Sequence, residues 1–169
     1  MKEALVKGCK SDEWYTPIET VRTMLNVFPP NAGDKILLPF DTDKSNFTKI
    51  VTREYDPLAI YGINDFLTND YEFDYLITNP PYSNKDKIIA RCIETGRPCV
   101  LVLPIDTLGG VQRHKLFNKT NISVYVPTKR IKFISETGEH TKSPAHHSII
   151  MLINAPRNEV IYEYQLKGK

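Results

Sequence analysis

Phe73-Asp74-Tyr75-Leu76-Ile77-Thr78-Asn79-Pro80-Pro81-Tyr82-Ser83 passes from an apolar strand pattern over 73–78, through two consecutive prolines, to a hydroxyl residue able to cap a helix. The helix predicted beyond it carries Ile88, Ile89, Cys92 and Ile93 on one side, and Gly96 can stop it. Residues 99–103 then form a near-continuous apolar run, the pattern of a parallel strand buried on both faces. Strand, helix and strand in this order point to an α/β sheet.

The alternation extends in both directions. On the N-terminal side, 36–38 and 58–61 read as strands and 45–55 as a helix. A first helix is predicted over 17–28. Thr16 is its expected cap, Pro17 suits the first helical position, and Glu19 completes a capping box. Ile18, Val21, Met24, Leu25 and Phe28 mark its core face, and Pro29-Pro30 ends it. On the C-terminal side, 111–118 reads as a helix and 122–126, 130–134 and 148–153 as the last strands. The expected fold is α/β: a mostly parallel, doubly wound sheet with helices on both faces, closed by an antiparallel, hairpin-like pair. The polar stretch 135–147, with Gly138 and Pro144, reads as an exposed loop.

With 169 residues, 41% of them apolar and 25% charged, the chain suits one domain over 1–169, with 1–11 as a flexible tail. No run approaches the roughly 18 apolar residues of a membrane span. The segment from Met1 to Lys10 lacks a secretory apolar stretch, and the cysteines number three, Cys9, Cys92 and Cys99. Both point to a reducing cytoplasm. Cys92 and Cys99 read as core residues. A net charge of +2 is too small to indicate nucleic acid by itself. Gly-rich phosphate loops and Gly-x-Ser-x-Gly turns are absent from the sequence.

Asn79-Pro80-Pro81-Tyr82 falls where the strand over 73–78 runs out, the edge at which open α/β sheets bind ligands. An exocyclic amine is a poor nucleophile because its lone pair is delocalised into the ring. The Asn79 side-chain oxygen and the adjacent Pro80 carbonyl can each accept an N–H bond and aim that lone pair at an electrophilic methyl group. Pro80 and Pro81 hold these acceptors still by restricting φ and removing competing donors. Tyr82 offers an aromatic face on which an extruded base can stack. The structural alternative is a stiff turn with Tyr82 as a partly buried ring.

On these residues the chain resembles the S-adenosylmethionine-dependent adenine-N6 DNA methyltransferases, most closely the small phage-encoded, Dam-like kind, over residues 12–153. The resemblance implies a Rossmann-like methyltransferase sheet and a catalytic set of Asn79, Pro80, Pro81 and Tyr82. Asp12-Glu13-Trp14-Tyr15-Thr16-Pro17 looks like the family's N-terminal cofactor segment, which implies that Tyr15, Thr16 and Pro17 lie near the methionine end of the donor. Asp65-Phe66 is similar to the acid-aromatic pair that contacts the donor's adenine. In physical terms, Asp65 can accept an amino hydrogen and Phe66 can cover the ring.

Two stretches depart from the family pattern. Leu38-Pro39-Phe40-Asp41-Thr42-Asp43-Lys44 keeps the Pro39-Phe40 pair but places Leu38 where an acid is expected, and Thr42 and Lys44 where glycines are expected. Asp41 and Asp43 can compensate by facing the sulfonium or amino group of the donor; a solvated acidic turn is the alternative. The strand over 58–61 ends without the carboxylate that normally accepts the ribose hydroxyls, and unpaired polar groups there cost about 1–3 kcal/mol.

Lys129, Arg130, Lys132 and Lys142 are candidate phosphate contacts, with Ile131 and Phe133 expected to pack inward. An ordinary solvated strand face is the alternative. No metal site is expected, since His140, His146 and His147 have no cysteine or second ligand set nearby. Trp14 reads either as a lid over the donor or as an anchor for the tail. The expected function is methylation of adenine N6 in DNA with S-adenosylmethionine, without a dedicated general base. The alternatives are a catalytically silent protein that binds nucleic acid or a protein partner, and methylation of RNA adenine or a protein glutamine amide.

Overall fold

The protein is described by a computed structural model over residues 14–141 and 145–167. The expected tail over 1–11, Cys9 and the candidate contact Lys142 lie outside these residues.

Within them the strands are β1 (Trp14–Tyr15), β2 (Ile36–Leu38), β3 (Ile60–Tyr61), β4 (Tyr75–Thr78), β5 (Cys99–Pro104), β6 (Ile122–Val126), β7 (Ile134–Ser135), β8 (Ser148–Ile153) and β9 (Glu159–Tyr162). The helices are α1 (Ile18–Val27), α2 (Asn46–Glu54), α3 (Lys85–Thr95), α4 (Val111–Phe117) and α5 (Glu163–Leu166). Seven strands form one sheet in the order β3-β2-β4-β5-β8-β6-β9. Only β8 runs against its neighbours, pairing antiparallel with both β5 and β6. The sheet is therefore mostly parallel with an antiparallel element near one edge, as expected. No helix among the described residues is long and apolar enough to cross a membrane.

Side-chain alternation along the buried strands builds two cores. On one face Ile36, Leu38, Ile77, Val100 and Val102 meet Val21, Met24 and Leu25 of α1 and Phe47, Ile50 and Val51 of α2. On the other, Leu37, Leu76, Leu101 and Leu103 meet Ile88, Ile89 and Cys92 of α3, with Leu116 and Phe117 of α4 packed alongside. Cys92 and Cys99 are fully buried in this second core. Adjacent strand residues serve opposite layers because successive side chains point to opposite faces.

Several local expectations are corrected. Thr16 does not cap α1: Pro17 holds the N-cap position without a side-chain bond, and Thr16 is buried with its carbonyl accepting from Asn46 Nδ2 at 2.9 Å. Ile18 leaves the core face at 48% exposure, because the helix begins there and turns Val21, Met24 and Leu25 inward. Ser83 does not cap α3; Tyr82–Asn84 first make one 3-10 turn and the helix starts at Lys85. Gly96 does end it, in the left-handed conformation that glycine adopts at least cost.

The predicted strand over 130–134 shrinks to β7. Its partner is β1, Trp14 opposite Ser135 and Tyr15 opposite Ile134, rather than a strand of the main sheet. The in-out alternation survives: Ile131 and Phe133 are buried, and Lys129, Arg130 and Lys132 are exposed. The stretch 135–147 is not uniformly exposed, since Ser135 and Thr141 are buried and the Thr141 N–H donates to the Phe133 carbonyl. β1, β9 and α5 were not anticipated. β1 is only two residues long, and β9 is an edge strand with half its side chains exposed, so neither carries a strong apolar pattern.

Candidate active site

Because β8 is reversed, the carboxyl ends of β2, β3, β4, β5 and β6 share one edge of the sheet with the start of β8. Strand order reverses between β3-β2 and β4-β5, and the loops after β2 and β4 diverge at that point. A cavity of about 800 Å³ opens there, within the roughly 300–1,000 Å³ typical of small-molecule sites.

Eight of the residues singled out in the sequence line this cavity: Tyr15, Thr16, Phe40, Asp41, Asp65, Phe66, Asn79 and Pro81. They come from four distant stretches joined by the fold. Pro17, Pro39 and Pro80 are buried and lie outside the lining, as does Tyr82. Trp14 packs against the first core and is among the residues lining the cavity.

Asn79 follows β4 directly. Its Oδ1 is buried and has no hydrogen-bond partner among the described residues, while Asn79 as a residue lines the cavity. A buried acceptor left unpaired costs about 1–3 kcal/mol, a cost that a ligand donor reaching it from the cavity would offset. Pro81, extended at φ −63° and ψ 122°, leads away from it into the 3-10 turn. The Tyr82 ring is half-buried, and its hydroxyl is buried near the Ser148 hydroxyl without a hydrogen bond of good geometry among the described residues. Burial pushes the phenol pKa up, with the Ser148 hydroxyl pulling the other way.

Asp41 occupies the centre of the arrangement. Ser45 Oγ donates to its Oδ1 at 2.6 Å and Thr78 Oγ1 to its Oδ2 at 2.8 Å. Ser45 is also the N-cap of α2, accepting from the Phe47 N–H, while the Gly62 N–H donates to the Asp41 carbonyl at 2.8 Å. This one residue ties together the ends of β2, β3 and β4 and the start of α2. Burial raises its carboxyl pKa to about 6, against the two hydroxyl bonds that lower it. Thr78 and Ser45 were not read as site residues. The signal was available in a lone hydroxyl ending an otherwise apolar strand, and in the four-residue spacing of Asp41 and Ser45.

Asp65 is held by the Tyr71 hydroxyl and the Asn69 amide, which lower its pKa, so it faces the cavity as a carboxylate. Phe66 is buried; the Phe40 ring meets it edge to face at 6.0 Å and the Arg91 guanidinium lies 5.9 Å from its centroid. The loop after β2, in which Thr42 and Lys44 replace glycines, does not close the cavity: Thr42 and Ser45 are part of its wall. Lys129, Arg130 and Lys132 are not in the lining, but the segment follows β6 and so leaves the sheet at the same edge as Asn79. Among the described residues, no three His, Cys, Asp or Glu side chains are grouped to hold a metal ion.

The architecture has counterparts among solved structures. A dimethyladenosine transferase from Plasmodium falciparum aligns with 82% of this chain at 12% identity and a TM-score of 0.52. An inferred RNA methyltransferase from Pyrococcus horikoshii aligns with 89% at 12% identity and a TM-score of 0.50. The protein has a methyltransferase fold. It spans 62% of the Plasmodium chain and 93% of the Pyrococcus chain. No protein-family model and no curated protein matches its sequence. The cavity with Asn79 at its wall thus opens at the carboxyl edge of a sheet whose fold is shared with methyltransferases.

Proposed function

We propose that the protein transfers a methyl group from S-adenosylmethionine to the N6 amine of an adenine extruded from DNA. The observation that carries this reading is Asn79, a residue of the cavity lining whose buried Oδ1 has no partner among the described residues, on a motif suited to receive an amine donor.

The residues of the cavity fit the donor. Phe40 and Phe66 supply aromatic surface, Asp65 an acceptor for an adenine amino group, and Asp41 a buried negative charge; Tyr15 and Thr16 close the side towards β1. β3 does not end in a carboxylate for the ribose hydroxyls, and with Asp65 assigned to the adenine amino group, Asn64 and Thr68 are the neutral polar groups on that wall. S-adenosylmethionine bound there would supply a methyl group that passes to the amine nitrogen while the carbon–sulfur electron pair stays on sulfur. Asn79 accepts one N–H of the amine and the Pro80 carbonyl accepts the other, which localises the nitrogen lone pair. Because Pro80 and Tyr82 lie outside the lining of the donor cavity, the base would sit beside that cavity, stacked on the half-buried Tyr82 ring. The surplus proton leaves the nitrogen for water after transfer, so no side chain is needed to remove it beforehand.

DNA is the proposed acceptor on the resemblance of Asn79-Pro80-Pro81-Tyr82 and its setting, with Lys129, Arg130, Lys132 and Lys142 as contacts to phosphates. RNA adenine is the second reading, favoured by the fold shared with a dimethyladenosine transferase and an inferred RNA methyltransferase. Incubation with methyl-labelled donor and DNA, RNA or protein, followed by mass analysis of the products, tests both. Label in DNA as N6-methyladenine is the expected result. Label confined to RNA transfers the assignment to the second reading, and DNA binding without any label leaves a catalytically silent binding protein.

A further inference from the structure

Asp41 is a buried carboxylate whose two oxygens meet only neutral hydroxyls, Ser45 and Thr78, and no cation among the described residues pairs with it. A charge in that position is costly unless something of opposite sign reaches it. Asp41 is one of the residues lining the cavity, and none of the described residues in that lining is Lys, Arg or His.

We infer that Asp41 is the charge selector of this cavity, favouring a cationic occupant over an otherwise identical neutral one. The inference rests on the proposed donor reading. S-adenosylmethionine carries a positive sulfur, whereas its demethylated product, S-adenosylhomocysteine, is the neutral thioether with the same adenosine and amino-acid ends. Contacts to those ends contribute equally to both ligands and cancel in their affinity ratio. What remains is the interaction of one carboxylate with one sulfonium charge. Asp41 therefore holds the donor and lets go of the product, which keeps the site from being blocked as product accumulates.

The same geometry makes the selection depend on pH. Burial brings the carboxyl to about 6, so it exists in both states near neutrality, and only the ionised state attracts the donor. The groups that face it are few. α2 presents the Ser45 hydroxyl, β4 the Thr78 hydroxyl, and the loop after β3 a backbone N–H bonded to the Asp41 carbonyl. Across the cavity, Asp65 has a lowered pKa and stays ionised over the same range; Tyr15 comes from β1, and α3 brings only Ile88, with Asn84 just before it. Among the described residues of the wall, Asp65 is the other carboxylate, and its shift is downward, away from pH 6.

Isothermal titration of the wild-type protein with S-adenosylmethionine and with S-adenosylhomocysteine, between about pH 5 and about pH 8, tests this directly. The expected donor-to-product affinity ratio falls about tenfold from the upper plateau to one unit below the midpoint, as the ionised fraction drops to about a tenth. Donor binding near pH 5 should release close to one proton, read from buffers of different ionisation enthalpy, and product binding none. In Asp41→Asn the ratio should no longer vary with pH. A ratio independent of pH in the wild type, with both ligands bound, overturns the inference and leaves the proposed function standing. Failure of the donor to bind overturns both. The proton count needs no variant, so a folding defect in Asp41→Asn does not remove the test.

Discussion

Thr78, the last residue of β4, donates its hydroxyl to Asp41 Oδ2 at 2.8 Å and stands one residue ahead of Asn79. The acid that follows β2 and the amide that follows β4 are therefore positioned by the same short bond. Ser45 extends the connection into α2, so movement of that helix reaches Asn79 through two hydroxyls and one carboxylate. The cost is a buried charge supported only by neutral donors, and its consequences are measurable.

Stability should fall as pH rises through the range where Asp41 ionises. Its carboxyl shifts from 3.8 to about 6 on folding, so between these values the folded state binds more protons than the unfolded state. A shift of about two units corresponds to about 3 kcal/mol of stability present near pH 4 and lost by neutral pH. Glu54 and Glu163, lowered to about 2 by Arg22 and Arg53 and by Lys167 and the Thr128 N–H, act with opposite sign; their contribution is lost as pH falls below the ordinary range of Glu. Subtracting the urea stability profile of Asp41→Asn from that of the wild type isolates Asp41. Parallel profiles would show that the carboxyl is not shifted.

Asn79→Ala separates function from folding. The substitution deletes a buried acceptor that has no partner, so stability should stay within about 1 kcal/mol of wild type or rise. Methyl transfer should drop by a factor of about 100 or more, the scale of losing one positioned group in an active site. Donor affinity, measured by titration, should change much less. A variant that keeps near-full methylation removes Asn79 from its proposed role.

Asn79 and its neighbours are readable in the sequence because the apolar run Tyr75-Leu76-Ile77 leads to them and two prolines end the strand sharply. The two-sided core was equally legible in the near-continuous apolar runs at β5 and β8. The wall of the cavity was legible only residue by residue: Phe40, Asp41, Asp65 and Phe66 are separate in sequence and meet because β2 and β4 are parallel neighbours with β3 at the edge. Local pattern failed where tertiary pairing dominates. β1 and β7 are two residues each, and neither forms without the other. The Thr16-Pro17-Ile18-Glu19 capping signature failed for a related reason, since Thr16 is drawn inward beside Asn46 and cannot turn its hydroxyl to the helix.

The two halves of Tyr82 should behave oppositely. Its buried hydroxyl makes no hydrogen bond of good geometry among the described residues, the Ser148 hydroxyl being the polar group that acts on it, so Tyr82→Phe should be close to neutral in stability and should retain transfer. Tyr82→Ala removes the ring proposed to stack the base, and should raise KM for nucleic acid by about tenfold, on the scale of about 1–3 kcal/mol per stacked base. Loss of transfer in Tyr82→Phe would assign the hydroxyl a chemical part, and an unchanged KM in Tyr82→Ala would move base stacking to another ring.

Lys129 and Lys132 stand exposed on a segment anchored by buried Ile131 and Phe133, at the edge of the sheet that carries Asn79. Their charges can be removed without disturbing packing, so Lys129→Gln with Lys132→Gln should leave thermal unfolding unchanged. If each lysine neutralises one phosphate, the slope of log K against log salt should become shallower by about 0.9 per lysine on duplex DNA and about 0.7 on single strands. Affinity should weaken alike on all sequences, because phosphate contacts carry no base information. Lys119 provides the control: it is exposed just before β6 begins, at the opposite edge of the sheet, and Lys119→Gln should leave the slope as it is. Anisotropy titrations across a salt series measure all three proteins. Equal slopes for the double variant and the wild type would place the nucleic-acid path elsewhere on the surface.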